Sequence, residues 1–163
     1  ADFKLIIKHN GHFTFLLPEL QDHFPVYILV RNPLATIASW NSVDAPVAEG
    51  NLRVLKTLNP ELFNTLNNIP DLVTRQVILL DQMYLRYQTA TRATILRYED
   101  IISSNGSSLS VISESAKLLS QPLENKKSDP LYDSHLFAAI KTKLLNHKGA
   151  YLQYYSSNSI ENF

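Results

Sequence analysis

Residues 26–40, VYILVRNPLATIASW, constrain the fold more than any other part of the chain. An apolar run, Val26-Tyr27-Ile28-Leu29-Val30, stops at Arg31-Asn32-Pro33, and a helical pattern begins at once. A short run that is β-branched or aromatic and apolar at odd and even positions alike predicts a buried strand of a parallel sheet. Asn32 is a good N-cap, and Pro33 suits the first helical position, where its missing N–H would have no partner anyway. An arginine therefore stands between a strand end and a helix N-terminus. Open α/β sheets bind ligands there, and the helix end favours anions. Arg31 is a candidate phosphate contact, because a guanidinium can grip a phosphate through two parallel hydrogen bonds. An arginine that merely caps strand carbonyls or pairs with a surface carboxylate would fit the same position.

The rest of the chain can be read around that junction. FKLIIK, residues 3–8, predicts a short buried strand, followed by a polar turn, His9-Asn10-Gly11-His12. Residues 13–24 predict a helix with Pro18 in its first turn, so residues 3–30 suggest a parallel β-α-β unit. Residues 41–70, punctuated by Pro46, Gly50, Pro60 and Pro70, predict short helices and loops, either connecting structure or a substrate wall. Residues 71–92 carry the clearest helix. Val73, Val77, Leu80, Tyr84 and Tyr87 form one apolar stripe, Arg75, Gln76, Gln82 and Arg86 fall off it, and Asp71 favours its start. ATILR, residues 93–97, predicts another strand, ending in Tyr98-Glu99-Asp100. A helix over about residues 109–119 follows the SSNGSS turn. Residues 121–134 are a loop carrying the solvated pair Lys126-Lys127, and a last helix spans about residues 135–145. The tail, residues 147–163, is rich in Tyr, Ser and Asn and has no clean period.

Composition narrows the classes. The chain has 163 residues, one domain's worth, with 15 basic and 15 acidic side chains. A net charge of zero argues against a general nucleic-acid binder, which needs a basic excess. With no cysteine, disulfides, thiolate metal sites and cysteine nucleophiles drop out. No apolar stretch is long enough to span a membrane, and residue 1 is alanine with no signal-like pattern after it. The start suggests a processed product or an excised segment. Localisation stays open, with the cytoplasm the default.

R-N-P followed by Ser39, eight residues after Arg31, resembles the 3′-phosphate-binding segment of sulfotransferases that use 3′-phosphoadenosine 5′-phosphosulfate (PAPS). Thr36 and Ser39 share a helix face at i, i+3. Other segments match in the family's order. The family's catalytic histidine lies just past a strand, about two dozen residues or slightly fewer before the arginine. Here His9 precedes Arg31 by 22 residues, and His12, at 19, competes with it. Sulfuryl transfer needs a base for the acceptor's proton, and imidazole titrates near neutrality. Residues 96–100, LRYED, resemble the family strand ending in Tyr-Glu-Asp, whose tyrosine lies near the adenine; this implies Tyr98. Glu99 or Asp100 would then simply cap the next helix. His147-Lys148-Gly149 resembles the Arg-Lys-Gly loop that closes over the 3′-phosphate, with histidine in place of arginine.

The resemblance implies an α/β fold, a parallel sheet flanked by helices of the P-loop NTPase-like sulfotransferase kind. It implies a PAPS-dependent sulfotransferase acting on a hydroxyl or amine of a small-molecule or carbohydrate acceptor, with no metal. His9 would be catalytic, and Arg31, Ser39, Tyr98, His147, Lys148 and Gly149 would bind the cofactor. The family's N-terminal strand and P-loop-like turn, which hold the 5′-phosphosulfate, have no counterpart. Residues 1–163 would thus form the C-terminal portion of one domain, completed by an N-terminal segment. A kinase on a related P-loop fold and a non-catalytic sulfotransferase-like binding module are the alternatives, the former requiring a Walker lysine and magnesium.

Overall fold

The computed structural model describes residues 5–9, 11–119, 122–124 and 134–163. The chain is α/β: a two-stranded parallel sheet flanked by helices. In order along the chain come α1 (Leu17–His23), β1 (Tyr27–Val30), α2 (Pro33–Trp40), α3 (Leu55–Leu58), α4 (Pro60–Asn67), α5 (Leu72–Thr89), β2 (Thr94–Arg97), α6 (Tyr98–Ser103), α7 (Ser134–His147) and α8 (Ser157–Glu161). The loop with Lys126-Lys127 falls outside the described residues.

Local chemistry sets the junction after β1 as the sequence predicts. Asn32 Oδ1 accepts the N–H of Leu34 at 3.0 Å, and Pro33 opens α2. Asp71 caps α5 in the same way, accepting from the Thr74 N–H at 2.9 Å. β1 and β2 pair in parallel, Tyr27 opposite Thr94 and Val30 opposite Arg97, so both strands end at one level. The residues after them, Arg31 and Tyr98, become neighbours.

α5 is the central helix. Val77, Leu80 and Tyr84 pack with Ile28, Val30, Leu34, Ile37, Ile140 and Leu144 in the main core. Its other side, Leu79 and Met83, packs against Phe15, Leu52, Leu55 and Leu66. Residues 41–70 are therefore short helices over a second small core. Being enclosed on two sides also explains Gln76, which the stripe leaves off the core face but which is fully buried (0% exposed). Its amide pairs reciprocally with Asn41 at 3.1 Å in both directions and donates to the Ala48 carbonyl at 2.9 Å.

Several expectations are corrected. Within residues 3–8, the described part, residues 5–8, is not a strand. Leu5, Ile6 and Ile7 are 71%, 64% and 68% exposed. Strand propensity yields a strand only where a neighbouring ladder accepts it, and the ladder of β1 runs to β2. The β-α-β unit expected over residues 3–30 is thus replaced by the β1–β2 pair, whose connection runs through residues 31–93. β1 is also not buried on both faces: Ile28 and Val30 point into the core, while Leu29 is 54% exposed, because the core helices lie on one side. The helix expected over residues 109–119 is two 3₁₀ turns, Ser107–Val111 and Glu114–Leu118, separated by extended Ser113. Serines offer the backbone alternative hydrogen bonds, and here Ser104 Oγ accepts the Ser108 N–H at 3.1 Å. The tail, for which the pattern gave no expectation, joins the core: Tyr151, Tyr155 and Ile160 are buried.

Candidate functional site

The carboxyl ends of β1 and β2 gather the polar groups. The Arg31 guanidinium lies over the Tyr98 ring, 4.6 Å from its centroid. Such a contact holds the planar cation against the ring face, and is worth about 0.5–1 kcal/mol at an exposed position. The backbone beneath it is fixed from three directions. Tyr84 of α5 donates its hydroxyl to the Arg31 carbonyl at 2.9 Å. The Asn32 N–H donates to Glu99 Oε1 at 2.9 Å, and the Asn32 side-chain amide donates to the Ser159 carbonyl at 2.9 Å.

Glu99 does not cap its own helix, as the sequence suggested it could. It braces α2 across the sheet. Its other oxygen accepts the Tyr155 hydroxyl at 2.7 Å, and the Arg97 guanidinium lies 4.6 Å from the Tyr155 ring centroid. Burial first, and the Glu99 carboxylate second, push the Tyr155 phenol well up, as burial does for Tyr84. Both phenols therefore stay protonated and act as donors across the ordinary pH range.

This bracing bears on how an anion could be held. At the start of α2, Pro33 has no N–H, the Leu34 N–H is taken by Asn32 and the Asn32 N–H by Glu99. Thr36 donates its hydroxyl back to the Asn32 carbonyl at 3.0 Å. An anion beside Arg31 would thus depend on side chains, above all the guanidinium, more than on the helix end. Ser39 lies further along α2, half-buried, its carbonyl accepting the Ser42 hydroxyl at 2.9 Å.

The turn after α7 is organised by Asp81 of α5. His147 Nε2 lies 3.2 Å from Asp81 Oδ2, and the Ala150 N–H donates to Asp81 Oδ1 at 2.5 Å. Lys148 is exposed and adopts φ 52°. Gly149 is required by space: a Cβ there would run into the Asp81 carboxylate and lie 2.7 Å from Tyr151 Cε1. His147 thus supplies an internal contact, while Lys148 projects outward. Asp81 and Tyr84 sit one turn apart on α5. That helix therefore anchors both the Arg31 turn and the turn of Lys148 and Gly149.

His9 lies apart in chain and character. It is exposed on the described segment 5–9, and its ring meets His12 edge-on, centroids 4.1 Å apart. Both histidines belong to one turn that packs Phe13 5.7 Å from the His9 ring.

The sequence named Arg31, Tyr98 and the residue 147–149 turn but missed Glu99, Asp81, Tyr84 and Tyr155 as the groups that hold them. Their bonds to the site span 53 to 69 residues, so no local pattern marks them. Among the described residues, no group of three or more His, Cys, Asp or Glu side chains could hold a metal ion. None of their helices is long and apolar enough to cross a membrane. No family model, curated protein or solved structure matches the chain.

Proposed function

We propose that the chain is the nucleotide-binding part of a PAPS-dependent sulfotransferase with a P-loop NTPase-like fold, acting on a hydroxyl or amine acceptor. One observation carries the reading: the parallel register of β1 and β2 sets the Arg31 guanidinium against the Tyr98 ring at the carboxyl ends of two adjacent strands. A cation beside an aromatic face at a strand end is chemically suited to a phosphate next to a purine. In this reading Arg31 and Ser39 bind the 3′-phosphate, Tyr98 lies near the adenine, and Lys148 with Gly149 closes over the phosphate. His147 would tie that turn to Asp81. A histidine of the residue 9–12 turn, His9 in the first instance, takes the acceptor's proton.

The test is calorimetric binding of adenosine 3′,5′-bisphosphate. Arg31→Ala should weaken it at least tenfold, about 1.4 kcal/mol, because the charged bidentate contact is lost. Equal affinity of wild type and variant would sink the site. A binding module without turnover is the second reading, favoured by the internal use of the α2 donors and of His147. Nucleotide binding with no transfer to any acceptor would select it.

A further inference from the structure

We infer that Tyr98 is a positioning residue for the Arg31 guanidinium and not the platform on which a nucleotide base stacks. The role takes its ligand from the sulfuryl-transfer reading, while the contact behind it belongs to the chain alone. The guanidinium carbon of Arg31 lies over the Tyr98 ring, 4.6 Å from its centroid. Flat groups in contact sit about 3.5–4.0 Å apart, carbon to carbon. A base inserted between cation and ring would need two such separations, about 7–8 Å. The Tyr98 face toward Arg31 is therefore filled by the cation and closed to a purine. An adenine near Tyr98 must lie elsewhere than against that face.

The hydrogen bonds that brace this turn act on the main chain. Tyr84 donates to the Arg31 carbonyl, and Glu99 accepts the Asn32 N–H. The Arg31 side chain is long and has several rotatable bonds, which are costly to order when a ligand binds. A ring face under the guanidinium orders that side chain before an anion arrives, so less freedom is lost on binding. A contact made through the ring face does not by itself use the N–H fork with which a guanidinium takes a phosphate. The β1–β2 register thus puts Tyr98, the first residue of α6, at the service of the phosphate through the cation. Magnitude separates the two roles. An exposed cation–ring contact is worth about two- to fivefold in affinity. A base stacked on an aromatic side chain is worth about five- to 140-fold.

Side-chain NMR of Arg31 tests the hold with no ligand present. The Arg31 Nε–H and Cδ protons should be shifted upfield by the Tyr98 ring current. The shift should persist in Tyr98→Phe, which keeps the face, and vanish in Tyr98→Leu, which removes it. Calorimetry with adenosine 3′,5′-bisphosphate then follows a double-mutant cycle. Tyr98→Leu should weaken binding about two- to fivefold while Arg31 is present, and leave it unchanged in the Arg31→Ala background. Tyr98→Phe should bind as wild type does. An equal loss in both backgrounds, or a loss above about tenfold, would make Tyr98 the platform of the base and overturn the positioning role. Nucleotide bound by a wild type without the ring shift overturns that role alone. A ring shift that Tyr98→Leu abolishes, in a protein that binds no nucleotide, supports the hold on Arg31 and overturns the sulfuryl-transfer reading.

Discussion

Two of the polar turns in the candidate site, that after β1 and that of His9 and His12, are built in opposite ways. The turn after β1 is held by groups far away in the chain: Tyr84, Glu99 and Ser159 reach it from 53, 67 and 127 residues off. The turn that carries His9 and His12 is closed by a bond that spans three residues, from the His12 N–H to His9 Nδ1, and both histidines are exposed. Side chains that must be held still for recognition are best set by packed tertiary contacts. A turn closed by its own neighbours depends far less on the rest of the fold. Substitutions that loosen the first turn should therefore cost folding and binding together, whereas on the second they should cost chemistry alone.

The largest effect is expected at Glu99. Glu99→Ala leaves the Asn32 N–H without its acceptor inside a residue only 3% exposed, and takes away the acceptor of the buried Tyr155 O–H as well. Loss of a charged acceptor from two buried donors should cost about 3 kcal/mol, read from the shift of the urea midpoint. Glu99→Gln keeps an acceptor oxygen and should cost about 1 kcal/mol. A change below about 0.5 kcal/mol in the alanine variant, the range of ordinary surface positions, would show that the brace is not what holds the Arg31 turn.

An intermediate effect is expected where a local cap is joined by one distant partner. Asp71 caps α5 through the Thr74 N–H and hydroxyl, with Lys143 of α7 3.2 Å away. Asp71→Ala should cost about 1 kcal/mol, the usual worth of an N-cap. The hydrogen bond from the Thr74 hydroxyl, then that from its backbone N–H, and then Lys143 lower the Asp71 carboxyl from 3.8 to about 2. A folded-state pKa below the unfolded one means the contribution is fully present above pH 3.8 and fades as pH falls through about 2. The stability gap between wild type and Asp71→Ala should accordingly close across that window. A gap that stays constant would assign the effect to helix propensity instead of the carboxylate.

What could be read from the sequence follows the same division. Asn32 with Pro33, and Asp71, were legible because a cap acts over two or three residues and leaves its signature in place. β1, α5 and β2 were legible because their apolar patterns are continuous. Residues 5–7 looked like a strand for the right local reason, but the ladder partner that decides the matter is nonlocal. The burial of Gln76 and of the tail tyrosines was not legible, because it depends on which distant segments cover them. In the candidate site, Arg31 and Tyr98 were individually visible. Their contact was not, since it depends on the β1–β2 register. Glu99 showed only as an acid at a helix start, with nothing nearby to disclose that its partners are Asn32 and Tyr155.

The smallest effect is expected on the histidine turn. His9 and His12 are both exposed, and among the described residues the hydrogen bonds shown for their imidazoles join one histidine to the other. Removing either imidazole leaves no buried group unpaired and opens no cavity, so His9→Ala and His12→Ala should each stay within about 0.5 kcal/mol of wild type in urea unfolding. The nearest packed element is the 3₁₀ turn Phe13–Leu16, where Phe15 belongs to the second core with Leu52, Leu55 and Leu66. That anchor lies beyond the histidines and should keep its packing in both variants. A loss above about 1 kcal/mol, the scale of a lost buried hydrogen bond, would mean that the turn is braced as the Arg31 turn is, and the contrast between the two would disappear. Unchanged stability in both variants would sharpen it: one turn holds its residues through the fold, the other through a bond between near neighbours.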